Sequence, residues 1–190
     1  MGGKIVLASE SVFRRRAMDL LGIDYETWPA NIDEKAIRDN DPEELTRKLA
    51  EAKARKVAAE RPDAVVVAGD AVVAKGRKIL EKPRDLDEAA RLLRDLAGSK
   101  FQFVTSLAVL DAATGRILSA VEASKITFRE LIEREIQEYI AKYPVTNFAG
   151  AFESDAVLKF AERIEGSYNF VTALPVSRLI VFLRAQGVEI

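Results

Sequence analysis

Residues Asp63–Leu80 read DAVVVAGDAVVAKGRKIL. The first part, Asp63–Asp70, is an unbroken apolar run and reads as a buried strand that ends on a carboxylate. The second part, Ala71–Leu80, reads as a hairpin that turns at Lys75-Gly76. Upstream, KIVLA (Lys4–Ala8) is another short buried strand. Ser11 is placed to cap a helix running to about Leu21, with Phe13, Ala17, Leu20 and Leu21 as its apolar stripe and Gly22 as its stop. Asp24–Pro29 reads as a short second strand. Asp41–Glu60 is the clearest helix. Asp41 is its cap, Pro42 lies in its first turn, Glu44 completes a capping box, and Leu45, Leu49, Ala52 and Lys53 share a face. Downstream, Asp87–Gly98 is a helix with a glycine stop. Phe101–Asp111 and Arg116–Phe128 pair as long strands. Glu133–Tyr143 is helical, Ala149–Gly166 is a loop followed by a strand, and Leu174–Gly187 closes with a helix. Interspersed helices and strands with hairpins in mid-chain give a mixed α/β fold on a mixed sheet. No repeat or linker divides the chain, so a single domain over residues 1–190 is expected.

Composition removes whole classes of chemistry. Among 190 residues there is no cysteine and no histidine. Thiol catalysis, Ser-His-Asp triads and imidazole-bound zinc are excluded. What remains is carboxylates, lysines, arginines, hydroxyls and backbone, together with hard, oxygen-liking ions such as Mg2+ or Mn2+. A net charge of −1 does not suggest a nucleic-acid polymer as partner. No apolar run approaches the roughly 20 residues of a membrane span, and the first residues lack a signal-peptide core. A cytoplasmic protein without a membrane partner is expected.

Four places could carry chemistry. Ser9, Ser11 and Arg14–Arg16 follow the first strand and open a helix. Free N–H groups at a helix start, serine hydroxyls and an arginine fork suit an anion; a capped helix with a solvated basic face is the ordinary reading of the same residues. Asp70 ends an apolar strand, where it could hold a hard metal or deprotonate water, or simply end a strand. Lys53 lies on an alanine- and leucine-rich face, and Lys82 follows the hairpin; each alone also reads as a surface lysine. Glu34 and the acids Glu153 and Asp155 lie in polar stretches, where solvation is the ordinary outcome. Together these parts suit a triphosphate, which needs several cations, a divalent metal, and a base to position water.

The chain resembles the Maf family of nucleotide pyrophosphatases, relatives of the inosine-triphosphate pyrophosphatase fold, over nearly its whole length. The resemblance rests on LASESVFRRRAMDLLG (Leu7–Gly22), IDE (Ile32–Glu34), LAEAKA (Leu49–Ala54), VVVAGDAVV (Val65–Val73), EKP (Glu81–Pro83), AGAF (Ala149–Phe152) and RIEGSYNFVTALP (Arg163–Pro175). It implies an elongated mixed sheet flanked by helices, with two lobes and a central cleft. It implies hydrolysis of a nucleoside triphosphate to the monophosphate and pyrophosphate with Mg2+ or Mn2+, and, since such proteins are often dimers, a homodimer. It implies that Ser9, Ser11, Arg14 and Arg15 hold phosphates, that Lys53 and Lys82 neutralise them, and that Glu34 and Asp70 bind metal or water, with Asp70 the general base.

The sequence departs from the family pattern at several points. Val12 stands for Pro, Phe13 for the first Arg, Ala71 for Thr or Gln, Glu81 for Gly, Ser106 for Gly and Ala173 for Gly. Asp155 stands where the family carries Gln or Glu. Phe13, Phe152 and Asp155 resemble the branch that prefers 7-methyl-GTP, because an aromatic ring can stack on a methylated, cationic base. Phe13 also reads as a core residue. The pyrimidine triphosphates dTTP, UTP and CTP are the second substrate class. A second function of another kind is a nucleotide-binding regulator of septum formation with little catalysis; Asp70, Lys53 and Lys82 together favour the enzyme.

Overall fold

The side-chain alternation of the strands sets the layers of this protein. The computed structural model describes residues 4–190, with the side chain of Asp155 excepted. The elements in chain order are β1 (Lys4–Leu7), α1 (Val12–Asp19), β2 (Glu26–Thr27), α2 (Pro42–Glu60), β3 (Ala64–Lys75), β4 (Lys78–Leu80), α3 (Leu86–Leu96), β5 (Lys100–Asp111), β6 (Ile117–Phe128), α4 (Glu133–Lys142), α5 (Ser154–Phe160), β7 (Ala161–Gly166) and α6 (Val176–Ala185). Among the described residues the strands form a seven-stranded sheet in the order β2-β1-β3-β5-β6-β7, with β4 paired to β3. β1 runs parallel to β2 and β3, β4 antiparallel to β3, and β7 antiparallel to β6. The sheet is therefore mixed, as the interspersed pattern requires.

The chain divides into two compact units. One holds the residues up to Ala71, Thr105–Glu122 and Tyr168–Ile190; the other holds Val72–Val104 and Ala123–Ser167. In the first unit, Val6, Val66, Ala68, Ala108 and Leu110 pack with Ala50, Ala54 and Val57 of α2. Their neighbours of opposite parity, Leu7, Val65, Val67, Leu107 and Val109, pack with Ala17 and Met18 of α1 and with Leu179 and Leu183 of α6. Successive strand residues face opposite ways, so the apolar runs feed two cores at once. The second unit has an aromatic core. Phe101, Phe152 and Phe160 surround Phe128 with ring centroids 4.7, 5.4 and 5.7 Å away.

Four readings of the sequence are corrected here. β3 is one strand of twelve residues that continues through Asp70 rather than ending on it. Residues Ser154–Phe160 form a helix, because burial of Ala156, Val157 and Phe160 follows a helical rather than an alternating spacing. α1 ends at Asp19, so Leu20 is 71% exposed and Met18 takes its place in the core. The capping box at α2 does not form: the Asp41 carboxylate accepts the Glu43 N–H, the Asp41 amide donates to Asp39, and Glu44 pairs with Arg47.

Candidate functional site

Strand parity aims Asp70 at α2. It shares the face of Val66 and Ala68, which pack on that helix. There Lys53 Nζ lies 2.6 Å from Asp70 Oδ1, and both residues are only 7% exposed. Lys53 is one helical turn from Ala50 and Val57, on the face that covers the sheet. Its ammonium also lies 2.7 Å from Oε1 of Glu34. Glu34 opens a single turn of 3-10 helix over Glu34–Ala36, set by the Asp33 carboxylate accepting the Lys35 N–H at 3.0 Å. One buried ammonium thus joins two carboxylates, one of them buried and the other on the surface. A buried lysine is tolerated only with such partners.

Asp70 is held by its backbone as well. Its N–H donates to Ser106 Oγ at 3.1 Å, and Ser106 Oγ donates to the Thr46 carbonyl at 2.7 Å. Ser106 and Thr46 are fully buried. Next to Asp70, Gly69 has no room for a side chain: a Cβ there would stand 2.3 Å from Leu174 and 2.7 Å from the Ser106 carbonyl oxygen.

The segment after β1 meets the same surroundings. Ser9 Oγ accepts the Ser11 N–H at 3.1 Å and an Arg14 Nη1–H at 3.2 Å. Ser11 has the extended backbone of a helix N-cap, but its own hydroxyl makes no cap bond. The hydroxyl that organises the turn is therefore that of Ser9. Arg14 Nε reaches the Ala173 carbonyl at 3.4 Å, and Ala173 sits at φ 51°, a left-handed conformation. Burial pushes the Arg14 guanidinium below its usual pKa, against the pull of Asp70 and Glu34. Ser9, Arg14, Glu34, Lys53 and Asp70 form one neighbourhood in which two cations face two carboxylates.

The other sequence candidates are placed differently. Arg15 is exposed, and its carbonyl accepts the Tyr25 hydroxyl at 3.4 Å. Phe13 is half-buried, with the Arg16 guanidinium 5.7 Å from its ring centroid. Lys82 is exposed beyond β4 in the second unit. Phe152 is 3% exposed and part of that unit's aromatic core. Asp155 lies in α5, and its side chain is outside what the structure describes.

Sequence reading alone missed the roles of Ser106, Thr46 and Gly69. The available signal was a hydroxyl inside the apolar run of β5, since a fully buried polar group needs named partners. Among the described residues no group of three or more Asp or Glu side chains is arranged to hold a metal. The hard donors at hand are the carboxylates of Asp70 and Glu34. Among the described residues no helix is long and apolar enough to cross a membrane.

Residues 4–186 match the family model described as Maf-like protein. A dTTP/UTP pyrophosphatase from Desulforamulus reducens is 34% identical over 187 residues, 98% of each chain. A 7-methyl-GTP pyrophosphatase from Neisseria meningitidis is 31% identical over 189 residues, 98% of this chain and 96% of the other.

Proposed function

The chain belongs to the Maf family, and from that premise we propose that it is a nucleoside triphosphate pyrophosphatase, a hydrolase of acid anhydrides that yields the monophosphate and pyrophosphate. The observation that carries the reading is the buried contact of Lys53 with Asp70 and Glu34, in one neighbourhood with Ser9 and Arg14. In this reading the N–H groups at the start of α1, the hydroxyls of Ser9 and Ser11, and Arg14 and Arg15 receive phosphate oxygens. Lys53 offsets the charge brought in. Lys82 is assigned the same task on the family pattern alone.

Asp70 takes the proton from the attacking water. The water oxygen bonds to the α-phosphorus, the bond from that phosphorus to its bridging oxygen breaks, and pyrophosphate leaves with the electron pair. Without histidine or cysteine, a carboxylate is the base best suited to this chemistry near neutral pH. Asp70 and Glu34, the two hard oxygen donors that Lys53 joins, are the residues that would hold a Mg2+ or Mn2+ ion. When bound, such an ion supplies Lewis-acid stabilisation of the phosphoryl oxygens.

For the base, Phe13 and Asp155 favour 7-methyl-GTP or a similar modified purine. A second reading, dTTP or UTP, is favoured by the name of the Desulforamulus relative. Both readings are tested by pyrophosphate release from 7-methyl-GTP, UTP, dTTP and CTP with Mg2+ or Mn2+, compared as kcat/KM. A preference for UTP or dTTP would overturn the purine reading. Asp70→Asn should lower kcat by about 10²–10⁴ while leaving the fold intact; full activity in that variant would remove Asp70 from the role of base.

A further inference from the structure

We propose that Ser106 is a positioning residue for Asp70; the inference rests on the reading of Asp70 as the base. A serine hydroxyl has one hydrogen to give. The Thr46 carbonyl, at 2.7 Å, takes it, which leaves the oxygen lone pairs to accept the Asp70 N–H at 3.1 Å. Ser106 is completely buried, so no water competes for either bond. The hydroxyl therefore ties the backbone of β3 at Asp70 to the backbone of α2 at Thr46.

Lys53 lies about two helical turns along α2 from Thr46, on the same side of the helix. The chain of contacts closes on itself: Asp70 amide, Ser106 hydroxyl, Thr46 carbonyl, α2, Lys53 ammonium, Asp70 carboxylate. A ring of this kind fixes the distance between helix and strand at the height of the Lys53–Asp70 contact. Close approach at Gly69, whose absent side chain leaves room for the Ser106 carbonyl and Leu174, holds the other side of the same strand. Ser106 touches no reacting atom in this arrangement; it acts through where it puts Asp70.

The test compares Ser106→Ala with Ser106→Cys. The first removes the bridge and a little volume; the second keeps the volume and weakens the bridge. Each variant is checked for an intact fold by its melting profile, and kcat and KM are measured with the best nucleotide of the panel. Both should lose kcat by about tenfold to a hundredfold, the scale of a small misplacement of a reacting group, with KM at the parent value. Amide hydrogen exchange at Asp70 should also quicken in both, a readout independent of activity. Parent kcat in Ser106→Ala overturns the inference, as does recovery of parent kcat in Ser106→Cys, which would make the residue a filler of space. Should Ser106→Ala fail to fold, Ser106→Cys decides alone. If Asp70→Asn keeps full activity, the reading of the base has failed; if Asp70→Asn is inactive and the Ser106 variants are not impaired, this inference alone has failed.

Discussion

Replacing Lys53 by Met tests whether the ammonium is required by the buried carboxylate beside it. The methionine stem fills nearly the same space, so no large cavity opens. What is lost is the charge 2.6 Å from Asp70 Oδ1. Glu34, with a side chain 56% exposed, can turn to water. Asp70, with a side chain 10% exposed, cannot. Removing one partner of a buried pair costs about 3–5 kcal/mol, because the other charge is left without compensation. Arg14 still attracts Asp70 and places the expectation at the low end, about 3 kcal/mol. For a chain of this size that is a fall in Tm of roughly 6–12 °C. Urea denaturation should show the midpoint falling with an unchanged slope. Adding Asp70→Asn to Lys53→Met should recover most of the loss, since the stranded charge is then gone. A single variant within about 0.5 kcal/mol of the parent, the range of ordinary surface changes, would refute the reasoning. So would a double variant no more stable than the single one.

Arg14→Ala should weaken triphosphate binding by about 1.5–3 kcal/mol, the scale of a hydrogen bond to a charged group; unchanged affinity by titration calorimetry would make the basic cluster a solvated face. Ala173→Gly should stabilise the fold slightly, by about 0.5 kcal/mol in urea denaturation. The left-handed backbone costs alanine about 1–2 kcal/mol, and glycine returns about 0.4–1 of that through its freer unfolded chain. Glu135 is held down to about 2 from 4.5 by hydrogen bonds from Arg129. Its folded value lies below its unfolded one, so its contribution is present above pH 4.5 and is lost as pH falls toward about 2. The stability difference between parent and Glu135→Gln should shrink over that window and weaken in high salt, as measured by denaturation at a series of pH values.

The long elements were legible because single patterns governed them. The continuous apolar runs of β1 and of the first part of β3 showed buried strands, and the cap and proline at Asp41–Pro42 marked the start of α2. Illegible features depended on partners distant in sequence. Asp70 reads as the end of a strand because an isolated carboxylate has no place in a buried one. The strand continues because Lys53 and Ser106 satisfy its side chain and its amide. The anion-site residues were visible as a group, but the choice of Ser9 over Ser11 as the organising hydroxyl depends on Arg14 folding back to it. Helix α5 was missed because it is short and lacks a side-chain cap, so local signals had nothing to mark its start. Phe152 carried a specificity reading on resemblance alone, and the structure puts its ring among Phe101 and Phe128.

The parity of β3 also limits which mutations this gene can absorb. Side chains alternate along a strand, so inserting or deleting one residue between Ala64 and Gly69 exchanges the two faces for everything that follows. The carboxylate would then point away from α2, toward the side where even a methyl group on residue 69 stands 2.3 Å from Leu174. The packing would suffer as well, because the place of Gly69, which has no room for a Cβ beside Leu174 and the Ser106 carbonyl, would receive Ala68 or Asp70. Length variation here should thus abolish the proposed activity through Asp70 and weaken the sheet through the closed site at residue 69. Loops such as the Ala112–Arg116 turn, which aim no such group, are where insertions should accumulate.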